Sequence, residues 1–163
     1  MTRVDQLIGE LDAQRASFLE ALDAVDPELL TAPGLVGAWS ARDLVVHLAV
    51  WCEHGADALA LAASGRGDEF DYRHDQTDAM NAGLVGEAAS LPPPAARERE
   101  KHAFLSLRAA VQALDPEMLD LRLGNGDTVA EVINYDGPEH YEEHAADIRA
   151  WFGAGPRDED ADD

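Results

Sequence analysis

The chain has 163 residues, 46% of them apolar, which suits one domain with a real core and argues against disorder over most of its length. Its 33 acidic residues against 12 basic ones give a formal net charge of −21, and only one of the bases, Lys101, is a lysine. Such a surface repels phosphate backbones and anionic lipid heads, so charge argues against nucleic-acid and membrane partners and leaves a small molecule as the expected ligand.

The same acidity fits a GC-rich genome or a salt-adapted proteome, and charge alone does not separate the two. Cys52 is the single cysteine, so no internal disulfide can form and a reducing cytoplasm is expected. Its apolar neighbours Val50 and Trp51 read as the surroundings of a buried, inert thiol. The opening residues Met1–Gln6 lack the apolar core of a signal peptide, and no apolar run approaches the roughly 20 residues of a membrane span.

Apolar residues at Val4, Leu7, Ile8, Leu11, Phe18, Leu22 and Val25 follow helical spacing and predict a first helix over residues 3–25, stopped near Ala24 by Pro27. Pro33, Gly34 and Gly37 mark a connection over 26–39. Ser40 followed by Asp43 is a capping box that opens a second helix, running to about Ser64 with Gly65 beyond it. A polar loop covers 65–74. Residues 75–89 predict a short extra helix, with Met80, Leu84 and Val85 on its apolar side. Pro92-Pro93-Pro94 breaks the chain and opens a third long helix over about 94–114, with Phe104, Leu105, Leu107, Val111 and Leu114 inward. Gly124-Asn125-Gly126 is a turn, and Thr128 with Glu131 is a second capping box. The helix it opens contains Val132, Ile133, Tyr135, His140, His144, Ile148 and Trp151. Gly137-Pro138 either kinks this helix or begins a new one. The tail 154–163 is acidic and expected to be disordered. No period-2 alternation is long enough for a strand. The pattern predicts an all-α fold, a four-helix bundle over residues 1–153 with the short helix between its second and third long helices.

Chemistry concentrates on histidine. His140 and His144 are four apart, which puts both imidazoles on one helical face, a turn apart and able to share an ion. Ile133, Ile148 and Trp151 place that face inward. Such a pair also recurs by chance on wet surfaces. His47 lies on the apolar face of the second helix, between Leu44 and Trp51, where a core histidine bonded to a backbone carbonyl is the plainer reading. Two helices of one bundle can nonetheless gather three imidazoles around one ion, and three protein ligands with open positions is the arrangement of a catalytic metal. Weaker candidates surround them. His54, seven residues after His47, can line the cavity mouth or supply a proton. Trp51 and Asn81 can wall the pocket, and Asp136 can orient a ligand imidazole. His74, His102, Glu142 and Glu143 read as solvated.

The segment Gly37-Ala38-Trp39-Ser40-Ala41-Arg42-Asp43-Leu44-Val45-Val46-His47-Leu48, with His140-Tyr141-Glu142-Glu143-His144, resembles the DinB-like superfamily, and most closely its DfsB/ClbS and mycothiol-dependent maleylpyruvate isomerase-like branches. The resemblance covers about residues 3–152. It implies a four-helix bundle with a metal triad at His47, His140 and His144, a zinc- or nickel-like ion, and a homodimer. It also implies thiol-dependent transferases or isomerases, or metal-dependent hydrolases, acting on small electrophiles. The thiol would be a low-molecular-weight cofactor, because no cysteine of this chain lies in the histidine motifs. A non-catalytic resistance protein that binds a small toxic molecule or a metal is the alternative, and a purely structural bundle the third reading.

Overall fold

The computed structural model describes residues 1–153, apart from the side chain of Val85. The acidic tail 154–163, with its expected disorder, lies outside the described residues. These form six α-helices: α1 (Arg3–Asp23), α2 (Ala41–Ala63), α3 (Thr77–Ala89), α4 (Pro93–Gln112), α5 (Val129–Asp136) and α6 (Pro138–Phe152). Two isolated bridges, Val36 with Trp39 and Arg122 with Thr128, are the only strand-like pairings among them. The fold class is all-α.

Local chemistry starts each helix. Ser40 Oγ accepts from the Asp43 N–H at 3.2 Å, and the Asp43 carboxylate accepts from the Ser40 N–H at 2.9 Å. Thr128 and Glu131 repeat this exchange at the start of α5. Thr2 and Asp5 make a third box at the start of α1. Each box satisfies two backbone donors that a helix start leaves open. Pro93 opens α4 and Pro138 opens α6, where a missing N–H costs nothing.

Packing then orders the rods. α2 lies mainly on α4 and α5, and α1 mainly on α6 and α4, so α5 and α6 together act as the fourth member of the bundle. α3 rests on α2, outside that frame. Leu11, Phe18, Leu44, Leu48, Leu107, Ile133 and Ile148 are among the side chains shut off from solvent. Burial of each such side chain is worth about 1.5–3 kcal/mol, so the core is the main support of the fold.

Two residues expected inward are not. Leu105 is 50% exposed, because the buried stripe of α4 runs through Phe104, Leu107 and Val111 and a residue one step after Phe104 turns about 100° away. Trp151 is 51% exposed; its ring covers Gly34 of the connection before α2 and leaves the core to Ile148. By length and composition α2 is apolar enough to cross a membrane, yet most of it is buried in the bundle, where it is the core helix.

A polar chain crosses that core. Arg15 donates to Glu100 through both Nε and Nη2, at 2.8 and 2.9 Å. Tyr141 Oη donates to Glu100 Oε1 at 2.6 Å, and Cys52 Sγ lies 3.4 Å from the same phenol. Glu100 is 2% exposed. Among the charged residues Arg97, Glu98, Arg99, Glu100 and Lys101, Glu100 points into the bundle, where Arg15 balances its charge.

Candidate metal centre

His47 owes its position to the turn before α2. Gly37 adopts a positive φ of +56°, the Trp39 N–H donates to Val36 O at 2.9 Å, and Ser40 then caps the helix. Trp39 is thereby held against the His47 ring, with centroids 4.7 Å apart. His47 follows one turn after the Asp43 that completes the box, on the buried side of α2.

His140 and His144 owe theirs to the break at Gly137. The Gly137 N–H closes α5 on Ile133 O at 2.9 Å, and the Gly137 carbonyl accepts from the His140 and Tyr141 N–H groups, both at 3.1 Å, to open α6. A Cβ at this position would lie 2.7 Å from Ile133 O, so the splice requires glycine. The chain therefore begins a new helix at Pro138 and does not kink a continuous one. The break brings the histidines to His47.

The three rings converge. Centroids are 4.5 Å apart for His47 and His140, 5.0 Å for His47 and His144, and 4.6 Å for His140 and His144. One nitrogen from each lies within 4.8 Å of the other two. The Nε2 atoms of His47 and His140 are 2.7 Å apart, while their Nδ1 atoms are buried without a hydrogen-bond partner. His144 Nδ1 bonds to Asp147 Oδ2 at 2.9 Å, which turns its Nε2 toward the other two rings. Burial, followed by the charge of His144, pushes His47 down to about 3. Burial and the two neighbouring imidazoles hold His140 well below the usual histidine range. Both rings are therefore neutral donors at neutral pH, which is the form that binds a metal. Three imidazoles that bring one nitrogen each to a shared point, two of them held neutral by burial, fit a metal ion.

The acid response follows from the same burial. In the unfolded chain His47 titrates near 6.5, so below that pH the unfolded state binds more protons than the folded one, and stability falls as pH falls toward about 3. Between pH 7 and pH 5 the metal-free protein should lose about 2 kcal/mol relative to a His47→Gln variant, measured by urea unfolding at both pH values. Equal losses in the two proteins would show that His47 titrates normally in the fold. Asp136 works in the opposite sense. Burial pushes its carboxyl up to about 6, against the pull of His54, so its cost to stability is present above that pH and fades below it.

The triad forms part of the wall of a cavity of about 730 Å³. Trp51, Asn81 and Asp136 also line it, and Trp51 Nε1 donates to Asn81 Oδ1 at 2.8 Å. His54 is not among the lining residues; it packs behind Trp51 and bonds through Nδ1 to Asp136 Oδ2 at 2.7 Å. Asp136 is thus engaged by His54 and makes no side-chain hydrogen bond to a triad ring. The orienting carboxylate is Asp147, which sequence reasoning missed, although its i+3 spacing from His144 was readable. His74 was read as solvated. It is exposed, but it lines the cavity, and its Nε2 lies 2.9 Å from Asp127 Oδ2, which also accepts from Tyr135 Oη and Asn125 Nδ2. Glu143, read as solvated, likewise reaches the cavity wall. Asp147→Asn should cut metal affinity by roughly 10–100-fold while leaving the helical content unchanged, as loss of an outer partner does elsewhere, and a competition titration against a chelator measures it.

The family model for the mycothiol maleylpyruvate isomerase N-terminal domain matches residues 11–149. The chain belongs to this family. It stands within the DinB-like superfamily. No curated protein matches the sequence. Among solved structures, an uncharacterised protein from Escherichia coli UTI89 superposes with a TM-score of 0.79 at 16% identity, covering 94% of this chain and 95% of that one. The colibactin self-resistance protein ClbS, in complex with a dsDNA, gives 0.78 at 16% identity over 90% and 93%. DfsB, described as a sibling lethal factor precursor, gives 0.74 at 13% identity over 94% and 97%. At these identities the likeness establishes the shared fold.

ClbS corrects one expectation drawn from charge. A protein of this fold has been crystallised with dsDNA, so nucleic acid is not excluded for the fold. Net charge is a sum over the whole surface, whereas a nucleic acid meets a local one.

Proposed function

We propose that this member of the isomerase-domain family is a metal-dependent enzyme that joins a low-molecular-weight thiol, or water, to a small electrophile. The convergence of His47, His140 and His144 on the wall of a cavity carries this reading. A zinc or nickel ion held there would supply a nucleophile at neutral pH by lowering the pKa of a thiol or water beside it. The protein's own part is to keep His47 and His140 neutral by burial, to aim His144 through Asp147, and to wall off solvent with Trp39 and Trp51. His74, backed by Asp127, is the cavity-lining group placed to take or return a proton.

Cys52 cannot be the nucleophile. It is buried, and burial pushes its thiol up to about 12. The thiol must then come from outside the chain. The expected result is turnover of a model electrophile by the metal-loaded protein only when a small thiol is added, followed by product chromatography. Turnover without thiol would select the hydrolase. Tight binding without turnover would favour the alternative, a resistance protein, which the likeness to ClbS supports. Assembly as a homodimer belongs to the same proposal.

A further inference from the structure

The cavity has a chemical bias that the metal reading does not explain. Trp39, Trp51, Tyr72 and Tyr135 form much of its wall. The polar ends of three of them are already engaged: Trp51 Nε1 on Asn81, Tyr135 Oη on Asp127, and Tyr72 Oη with Thr77 Oγ1. These residues therefore offer a ligand mainly aromatic ring surface, electron-rich on its faces.

Charge on the lining has one sign. Asp78 and Glu143, both exposed, line the cavity, and neither pairs with a basic side chain among the described residues. No lysine or arginine lines it. Arg73, beside the lining residue His74, is turned onto Asp75 at 2.7 Å. His74 Nε2 is turned onto the Asp127 carboxylate at 2.9 Å. Apart from the triad, an anionic ligand would find no lysine or arginine on the wall, whereas a cation would meet aromatic rings and two carboxylates free of ion pairs. Aromatic rings with nearby acids are the recognition chemistry of organic ammonium groups.

We infer that this cavity selects a ligand bearing an organic cation, a protonated amine attached to an apolar body, over a carboxylate of the same shape. The inference rests on the reading that this cavity is the ligand site, and it names the substrate class for that site. It also sets the chain apart from the substrate in its family's name, since maleylpyruvate is a dicarboxylate.

The test uses the full-length chain, freed of metal by chelation, with two matched probes, 2-phenylethylammonium and 3-phenylpropionate. Calorimetry and tryptophan fluorescence at low salt should show the amine binding about tenfold tighter, the size expected of a cation–π contact plus two partly screened charges. Raised salt should narrow the gap, and the pair Asp78→Asn with Glu143→Gln should reduce it to about twofold or less. Equal or tighter binding of the carboxylate, or no binding of either probe, would overturn the inference. Reloading with zinc separates the two readings. A protein that keeps its amine preference but takes up no metal retains this inference and loses the metal centre. One that loads metal but prefers the carboxylate in its metal-free form does the reverse.

Discussion

His144→Ala should abolish metal uptake on loading while leaving the bundle helical. His144 is the triad member with a defined tautomer, because Asp147 accepts from its Nδ1 and commits Nε2 to the shared point. Its removal leaves two nitrogens, those of His47 and His140, already within 2.7 Å of each other and able to satisfy one another by a hydrogen bond. The loss in affinity should exceed the roughly 10–100-fold that accompanies loss of an outer partner, since a ligand itself is gone. Elemental analysis after loading and desalting should fall from near one equivalent to below about 0.2, a level at which a site is no longer retained. Circular dichroism should be unchanged, because truncating one ring at the cavity wall breaks no helix cap. His54→Ala is the control on α2. It lies outside the cavity lining, so its metal content should match wild type. Retention of a full equivalent by His144→Ala would place the metal elsewhere.

The second large effect is structural. Glu100→Ala should destabilise the protein by about 3–5 kcal/mol, the usual result of leaving a buried charge without its partner. Arg15 loses both of its acceptors and Tyr141 its own. In a chain of this length that corresponds to a fall in Tm of about 10 °C. Glu100→Gln should fall between, since it keeps an acceptor for Tyr141 but not the charge that balances Arg15. The double variant Arg15→Met with Glu100→Leu should recover much of the loss, because removing both partners avoids the stranded charge. A loss below about 1 kcal/mol in Glu100→Ala would show that Arg15 finds water when its partner goes. Thermal unfolding by circular dichroism gives all three values.

What the sequence made legible was local. Ser40 with Asp43 and Thr128 with Glu131 are cap signals spanning three residues, and the helices they start begin there. The spacing of His140 and His144 is likewise a helical fact, and the pattern around Trp39 and His47 supplied the third ring. What stayed hidden depends on contacts between distant segments. Glu100 sits among charges that do face water, and only the packing of α1 on α4 brings Arg15 to it. His74 and Asp127 are 53 residues apart in the chain, and their pairing needs the loop before α3 to fold back toward the start of α5. Leu105 and Trp151 were misplaced for a smaller reason. A hydrophobic residue next to a buried stripe reads like a member of it, and only the phase of the helix, or a loop such as that at Gly34, shows where the ring goes.

Cys52 has a use that its inertness creates. It is the one sulfhydryl in the chain, held at the bundle centre against Tyr141 and shielded on every side. An alkylating reagent can reach it only when the bundle opens, so the rate of labelling is a clock for opening, read without any engineered probe. The same fact simplifies chemistry at the cavity: a thioether found after reaction with an added thiol and an electrophile records the added thiol's sulfur, while alkylation mapped to Cys52 records opening of the bundle.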